Sequence, residues 1–160
     1  MTRKALLAPI LIASAAALAV SSLGAWLTVL GPWYRALVRP PWQPPDAWFG
    51  IAWTTIFALA AAAGVMAWRA APDSASRRAV IVLFAINGAL NTLWSVLFFR
   101  LQRPDWALME IGFLWLSIAV LMWRFKDWSK AAALLLLPYL LWVSFASLLN
   151  LSTVRLNGPF

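Results

Sequence analysis

Five long apolar stretches dominate this chain of 160 residues and leave little sequence for any other kind of fold. A helix needs about 20 mostly apolar residues to cross the hydrocarbon core of a bilayer. Stretches of about that length, uncharged except for Glu110, cover residues 5–34, 47–68, 79–99, 106–123 and 131–154. They are too long and too uniformly apolar for barrel strands, and lipid offers no partner to unpaired backbone groups. We therefore predict membrane-spanning helices.

The composition supports a membrane protein and narrows its chemistry. Hydrophobic residues make up 64% of the chain and charged residues only 11%, whereas soluble domains are roughly half apolar and a quarter charged. The net charge of +8 comes from basic residues in the gaps between the apolar stretches, a pattern that predicts contact with membrane lipid rather than with nucleic acid. The chain has no Cys and no His, so disulfides, thiol catalysis and the usual zinc sites are excluded. We predict no metal site and no required cofactor.

The predicted fold class is an all-α membrane protein, a five-transmembrane-helix bundle that forms a single domain over residues 1–160. The predicted helices cover about residues 5–30, 47–69, 79–99, 105–124 and 130–153. Arg3 and Lys4 before an alanine-rich stretch also resemble a signal peptide, but the length of the stretch favours an uncleaved helix. The excess of Lys and Arg on the N-terminal side predicts a cytoplasmic N-terminus in an inner membrane. The pattern does not decide which membrane holds this multi-pass protein.

The first connection, residues 31–46, is rich in proline and tryptophan. Its prolines are Pro32, Pro40, Pro41, Pro44 and Pro45. So many prolines predict an extended, stiff loop without a helix. Its aromatic rings fit an interfacial belt, or alternatively a fixed lid above a pocket.

Aromatic and polar side chains recur at helical spacing within three of the predicted spans. These stripes are Phe49, Trp53 and Phe57; Asn87, Asn91, Trp94 and Phe98; and Tyr139, Trp142, Ala146 and Asn150. One interpretation is helix packing, with asparagine amides as hydrogen-bonding groups between helices. The other is a small-molecule cavity, lined by rings and fixed by a few polar groups.

The fourth span carries Trp106 and Glu110 one helical turn apart. Glu110 lies near a helix end, so we expect its carboxylate to reach the membrane interface. The alternatives are that it faces a cavity or pairs with Arg100 or Arg103.

Three motifs together resemble the TspO/MBR family, the tryptophan-rich sensory and translocator proteins also known as the peripheral benzodiazepine receptor family. The first motif is Trp33-Tyr34-x-x-Leu37-x-Arg39-Pro40-x-Trp42-x-Pro44-Pro45, followed by Phe49 and Trp53. The second is Asn91-Thr92-x-Trp94-x-x-x-Phe98-Phe99, and the third is Pro138-Tyr139-Leu140-x-Trp142 with Ala146 and Asn150. They occur in the family's order and cover nearly all of the chain after the first helix.

The resemblance implies a homodimer of five-helix subunits whose pocket, under the first loop, binds porphyrins such as protoporphyrin and other planar apolar ligands. Carried over by position and joined to the stripes above, the expected ligand-binding residues are Trp33, Trp42, Pro45, Trp53, Asn87, Asn91, Trp94, Trp106, Tyr139, Trp142 and Ala146. Arg35 and Arg39, the cations of the loop, are expected to contact charged groups of the ligand; the alternative is that they are ordinary membrane-flanking cations that face solvent or lipid.

The function that the resemblance implies is ligand binding with a sensing, transport or stress-regulatory role. Two alternatives remain open: a light-dependent porphyrin-degrading enzyme that uses Trp53 and Trp142, and a small-molecule transporter. The sequence departs from the family's sterol pattern because Leu151 stands where an aromatic residue is usual, which argues against high-affinity cholesterol binding.

Overall fold

The computed structural model of the chain describes residues 3–160, with side chains from residue 7 onward. Its helices are α1 (Arg3–Leu27), α2 (Pro32–Ala36), α3 (Asp46–Ala70), α4 (Ser74–Ser95), α5 (Pro104–Phe125), α6 (Lys130–Leu135) and α7 (Leu137–Asn157). The chain continues from α4 into a π-helical turn, Val96–Arg100. Among the described residues, five helical units are long and apolar enough to cross a membrane, namely α1, α3, α4 with its π-helical turn, α5, and α6 with α7. The predicted all-α membrane fold is confirmed.

Local sequence explains where several helices begin. Asp73 caps α4, because its side chain accepts a hydrogen bond of 2.7 Å from the backbone N–H of Ser76. Ser129 caps α6 in the same way, accepting from Ala132 at 3.2 Å. Pro104 occupies the first position of α5, where the N–H that proline lacks would have no partner within the helix.

The prediction of a helix-free first loop was wrong. Residues Pro32–Ala36 form the short helix α2, with Pro32 at its start. Proline is compatible with the first turn of a helix, and the other four prolines of the loop come later. The predicted fifth helix is likewise broken into α6 and α7 at Leu136. Pro138 has no N–H to donate to the preceding turn, which accounts for the break.

The bundle is packed most tightly at the end opposite the first loop. α5 packs extensively against α7 and α4, and α1 packs against α3. The core at that end is built from Ala63, Ala67, Leu121, Phe125 and Leu136, each fully buried. Small alanines let α3 approach its neighbours closely there. Toward the loop the same helices carry large rings and diverge around a cavity.

The side chains of Arg3 and Lys4, on which the orientation and signal-peptide hypotheses partly depend, lie outside the described side chains. The orientation of the bundle therefore stays a prediction.

Candidate functional site

A cavity of about 440 Å³ lies beneath the first loop, enclosed by residues of α1, α3, α4, α5 and α7. Its aromatic lining is contributed by Tyr34, Phe49, Trp53, Phe57, Trp94, Phe98, Phe99 and Trp142. Phe98 and Phe99 belong to the π-helical turn that follows α4. Such turns are rare and are frequent at functional sites. The cavity has the size and the apolar character of a small-molecule site.

Five of the predicted ligand-binding residues line this cavity. They are Trp53, Asn91, Trp94, Trp142 and Ala146. Helical spacing brings them together, because residues three, four or seven positions apart share one face of a helix. The indole nitrogen of Trp142 is buried and has no hydrogen-bond partner within residues 7–160. The ring of Trp142 lines the cavity, but its N–H is covered by neighbouring atoms.

The predicted lid residues Trp33, Trp42 and Pro45 do not line the cavity. The ring of Trp33 packs edge-on against Phe98, with centroids 5.9 Å apart, and Trp42 packs against Phe145 at 5.7 Å. Both tryptophans thus support the outer side of the site. A ligand inside the described cavity would therefore not touch Trp33, Trp42 or Pro45, contrary to expectation.

The fourth span departs from prediction in two ways. Trp106 is 46% exposed, lies off the cavity and packs its ring under the guanidinium of Arg103, 4.1 Å from the ring centroid. Glu110, expected at the interface, is instead buried at 6% exposure. Neither carboxylate oxygen has a hydrogen-bond partner among the described side chains, and Arg103 pairs with Asp105 instead. α5 packs against both α4 and α7, so most of its faces are covered by other helices, and helical spacing from Trp106 does not predict the burial of Glu110.

Asn87 and Tyr139, also predicted to bind ligand, lie behind the cavity wall in a buried hydrogen-bond network. Asn91 Nδ2 donates to the Tyr139 hydroxyl at 3.3 Å, and that hydroxyl donates to Asn87 Oδ1 at 3.2 Å. Asn87 Nδ2 then donates to Ser117 Oγ at 2.8 Å, and Ser117 donates to the carbonyl of Leu114. The network joins α4, α5 and α7. Only Asn91 and Leu114 of these residues also line the cavity.

A polar cluster occupies the mouth of the cavity where the first loop meets α3. Asp46 Oδ1 accepts from the Tyr34 hydroxyl at 3.1 Å and contacts Arg39 Nη1 at 3.5 Å. Gln43 Nε2 donates to the Tyr34 hydroxyl at 3.4 Å. All four residues line the cavity. Burial, and secondarily the nearby Asp46 carboxylate, raises the pKa of Tyr34, so its hydroxyl remains a donor at neutral pH.

Of the two predicted charge contacts, only Arg39 reaches the cavity. Arg35 lies off it and donates from Nε to the carbonyl of Leu30 at 3.2 Å, which ties α2 to the segment that connects it with α1. The sequence reasoning missed Tyr34, Gln43 and Asp46 as lining residues. Asp46 did carry a signal, since it is the acidic residue that opens α3 directly after two prolines.

Two asparagines of α7 hold neighbouring segments in place. Asn157 Oδ1 accepts from the N–H of Val38 at 2.7 Å while its Nδ2 donates to the carbonyl of Val38 at 3.0 Å, which fixes the loop to the end of α7. The Asn150 amide, in the orientation that satisfies both of its groups, donates to the Pro104 carbonyl and accepts from the Leu108 N–H, each at 3.0 Å. Both contacts lie close to the cavity, which Val38 and Asn150 help to line.

Comparison with known proteins identifies the family to which the sequence is similar. The model of the TspO/MBR family matches residues 10–156. The chain is 42% identical over 125 residues to the tryptophan-rich protein TspO of Chlorobaculum tepidum, covering 78% of this chain and 79% of that protein. It is 38% identical to the tryptophan-rich sensory protein of Cereibacter sphaeroides, over 78% of this chain and 77% of the relative. It is 34% identical to the translocator protein of Bos taurus, over 74% and 70%.

Proposed function

The chain belongs to the TspO/MBR family and is a multi-pass integral membrane protein, and we propose that its cavity binds porphyrins and other planar apolar ligands. The proposed role of binding is sensing, transport or stress regulation. The names of the relatives, a sensory protein and a translocator protein, are consistent with such roles.

The observation that carries this proposal is the ring of aromatic side chains around the 440 Å³ cavity. Trp53, Trp94 and Trp142 come from three different helices and line one space. Flat rings of this kind stack against flat ligands and bury large apolar areas. The amide of Asn91 and the polar side chains of Tyr34 and Gln43, all on the lining, supply the few polar groups that fix a ligand's orientation.

The experiment is a titration of the purified protein, held in lipid nanodiscs, with protoporphyrin IX. Porphyrin fluorescence reports the binding. We expect saturable binding with about one ligand per chain, as one cavity of this size implies. Empty nanodiscs are the control for partition into lipid. Uptake that grows linearly with porphyrin and equals that of empty nanodiscs would refute the proposal.

A second candidate function is light-dependent breakdown of the bound porphyrin. It is favoured by the presence of both Trp53 and Trp142 on the lining, where each ring would lie against the ligand. The bound porphyrin should then lose its absorbance under illumination and keep it in darkness. A Trp142→Phe protein that still binds porphyrin should bleach it more slowly, and bleaching at the rate of the free porphyrin would exclude this activity.

A further inference from the structure

The cluster at the cavity mouth holds one acidic and one basic side chain that are joined only loosely. Arg39 Nη1 and Asp46 Oδ1 are 3.5 Å apart, and the two side chains are 37% and 39% exposed. The contact uses a single nitrogen and a single oxygen. Arg103 differs, because it meets Asp105 through both Nε and Nη2 and engages both carboxylate oxygens. Single, half-exposed ion pairs contribute little to stability.

Asp46 has a second partner in the Tyr34 hydroxyl, whereas the guanidinium of Arg39 has no second hydrogen-bond acceptor among the described side chains. The Tyr34 hydroxyl donates to the same oxygen of Asp46 at 3.1 Å, closer than the arginine. The raised pKa of Tyr34 keeps that donor protonated. Arg39 otherwise lies over the face of the Tyr34 ring, 4.7 Å from its centroid, and most of its five N–H groups remain available. Its guanidinium is therefore the mobile member of the pair.

We propose that Arg39 leaves Asp46 to bind a carboxylate of an acidic ligand, and that Asp46 sets the affinity for such ligands. Asp46 acts in two ways. It competes with the ligand for the guanidinium, and its own negative charge repels the incoming carboxylate. Both effects follow from its position on the lining beside Arg39. Guanidinium groups suit this exchange because they bind carboxylates through parallel hydrogen bonds.

This inference rests on the proposed function, because it concerns the same cavity, and it specifies the ligand class as planar apolar molecules that carry a carboxylate at the mouth. Asp46 is a specificity-determining residue in this account. Replacing it with asparagine preserves an oxygen that can accept from Tyr34 but removes the charge. The affinity of the variant for acidic ligands should then exceed that of the unchanged protein, whereas most substitutions in a binding site lower affinity.

The test uses two probes that differ only at the carboxylates, protoporphyrin IX and its dimethyl ester, titrated in nanodiscs of neutral lipid. The quantity compared is the ratio of the two affinities, which cancels changes in cavity shape. We expect Asp46→Asn to raise the acid-to-ester ratio by about three- to ten-fold and Arg39→Gln to lower it by a similar factor, as is reasonable for half-exposed charges. The ester alone should bind all three proteins alike.

Asp105→Asn and Arg103→Gln are the matched controls, since they change the net charge equally and break an ion pair that lies off the cavity. Their acid-to-ester ratios should equal that of the unchanged protein. An unchanged ratio in both Asp46→Asn and Arg39→Gln, or an equal rise in Asp105→Asn, would overturn the inference while leaving porphyrin binding intact. Failure of both probes to bind the unchanged protein would instead overturn the proposed function together with the inference. If Asp46→Asn does not fold, Asp46→Ser, which also removes the charge, is measured in its place, and an unchanged ratio in that variant would overturn the role of Asp46.

Discussion

Tyr139 and Asn87 are joined by a hydrogen bond of 3.2 Å that links α7 to α4 inside the membrane-spanning bundle. The same hydroxyl accepts from Asn91, which lines the cavity. Tyr139 also packs edge-on against the Trp53 ring, with centroids 6.0 Å apart. One buried side chain thus connects the packing of the bundle with two residues of the cavity wall.

Replacing Tyr139 with phenylalanine tests how much this connection stabilises the bundle. The change keeps the ring but leaves the amides of Asn87 and Asn91 without their shared partner in a buried place. We expect a loss of roughly 0.5–2 kcal/mol in the free energy of unfolding, the range of buried polar contacts between membrane helices. Thermal unfolding of the purified protein and of the variant measures this loss of stability. Tyr34→Phe, which alters only the cavity mouth, should cost less, and an equal cost would contradict this account.

A substitution at Ala146 tests whether the stripe of Tyr139, Trp142, Ala146 and Asn150 on α7 faces a ligand. It lines the cavity one helical turn from Trp142. Threonine at this position adds volume where a planar ligand should lie, and overpacking costs about 1–3 kcal/mol. We expect protoporphyrin affinity to fall by roughly five- to hundred-fold, at about 1.4 kcal/mol per decade, while the ligand-free protein melts normally. A lowered melting temperature with intact affinity would show that Ala146 serves helix packing instead.

Asn157 holds the first loop to the end of α7 through both backbone groups of Val38. We expect Asn157→Ala to speed amide hydrogen exchange at Val38 and its neighbours by about five- to thirty-fold, since two hydrogen bonds are lost. Asn157→Asp keeps an acceptor for the Val38 N–H and should give an intermediate rate. Exchange at the buried centre of α5 is the internal control. Equal rates at Val38 in all three proteins would contradict the role of Asn157.

The absence of His and Cys from the whole sequence bears on the kind of porphyrin that binds. Haem iron is usually held by His, Cys, Met or Tyr. Tyr34 is the tyrosine on the cavity lining, and its hydroxyl already donates to Asp46. Met66, Met109 and Met122 lie off the lining. We expect metal-free protoporphyrin to bind at least as tightly as haem, and a ten-fold preference for haem in parallel titrations would contradict this expectation.

Helical spacing allowed much of the fold and part of the site to be predicted. The five spans follow from apolar length, and the lining residues of α4 and α7 follow from their shared helix faces. Spacing does not say which face of an isolated helix meets its neighbours, so Trp106 was expected in the cavity and Glu110 at the interface. Instead, Trp106 is exposed off the cavity and Glu110 is buried without lining it, since packing of α5 against α4 and α7 decides which of its side chains are covered.

The contacts made by the loop were beyond prediction for a different reason. Asn157 and Val38 are far apart in sequence. A single contact between one side chain and one backbone unit produces no repeating pattern of residues from which it could be predicted. The Asp46 cluster likewise depends on how α2 turns the loop back toward α3. The sequence left the loop as either an interfacial belt or a lid, and only the folded chain reveals which of its residues line the cavity.

The central claim, that planar ligands occupy the cavity beneath the first loop, is tested most directly by filling that cavity. Gly24 lines it, and a Cβ at this position meets no atom within 4 Å, so Gly24→Leu adds volume without a clash at that carbon. Gly112 is equally free at its Cβ but is exposed on α5 and lies off the cavity, which makes Gly112→Leu the matched control. We expect Gly24→Leu to lower protoporphyrin IX affinity at least ten-fold, by overpacking against the ligand, and Gly112→Leu to leave it unchanged. Equal affinity in both variants, with both proteins folded, would contradict the claim.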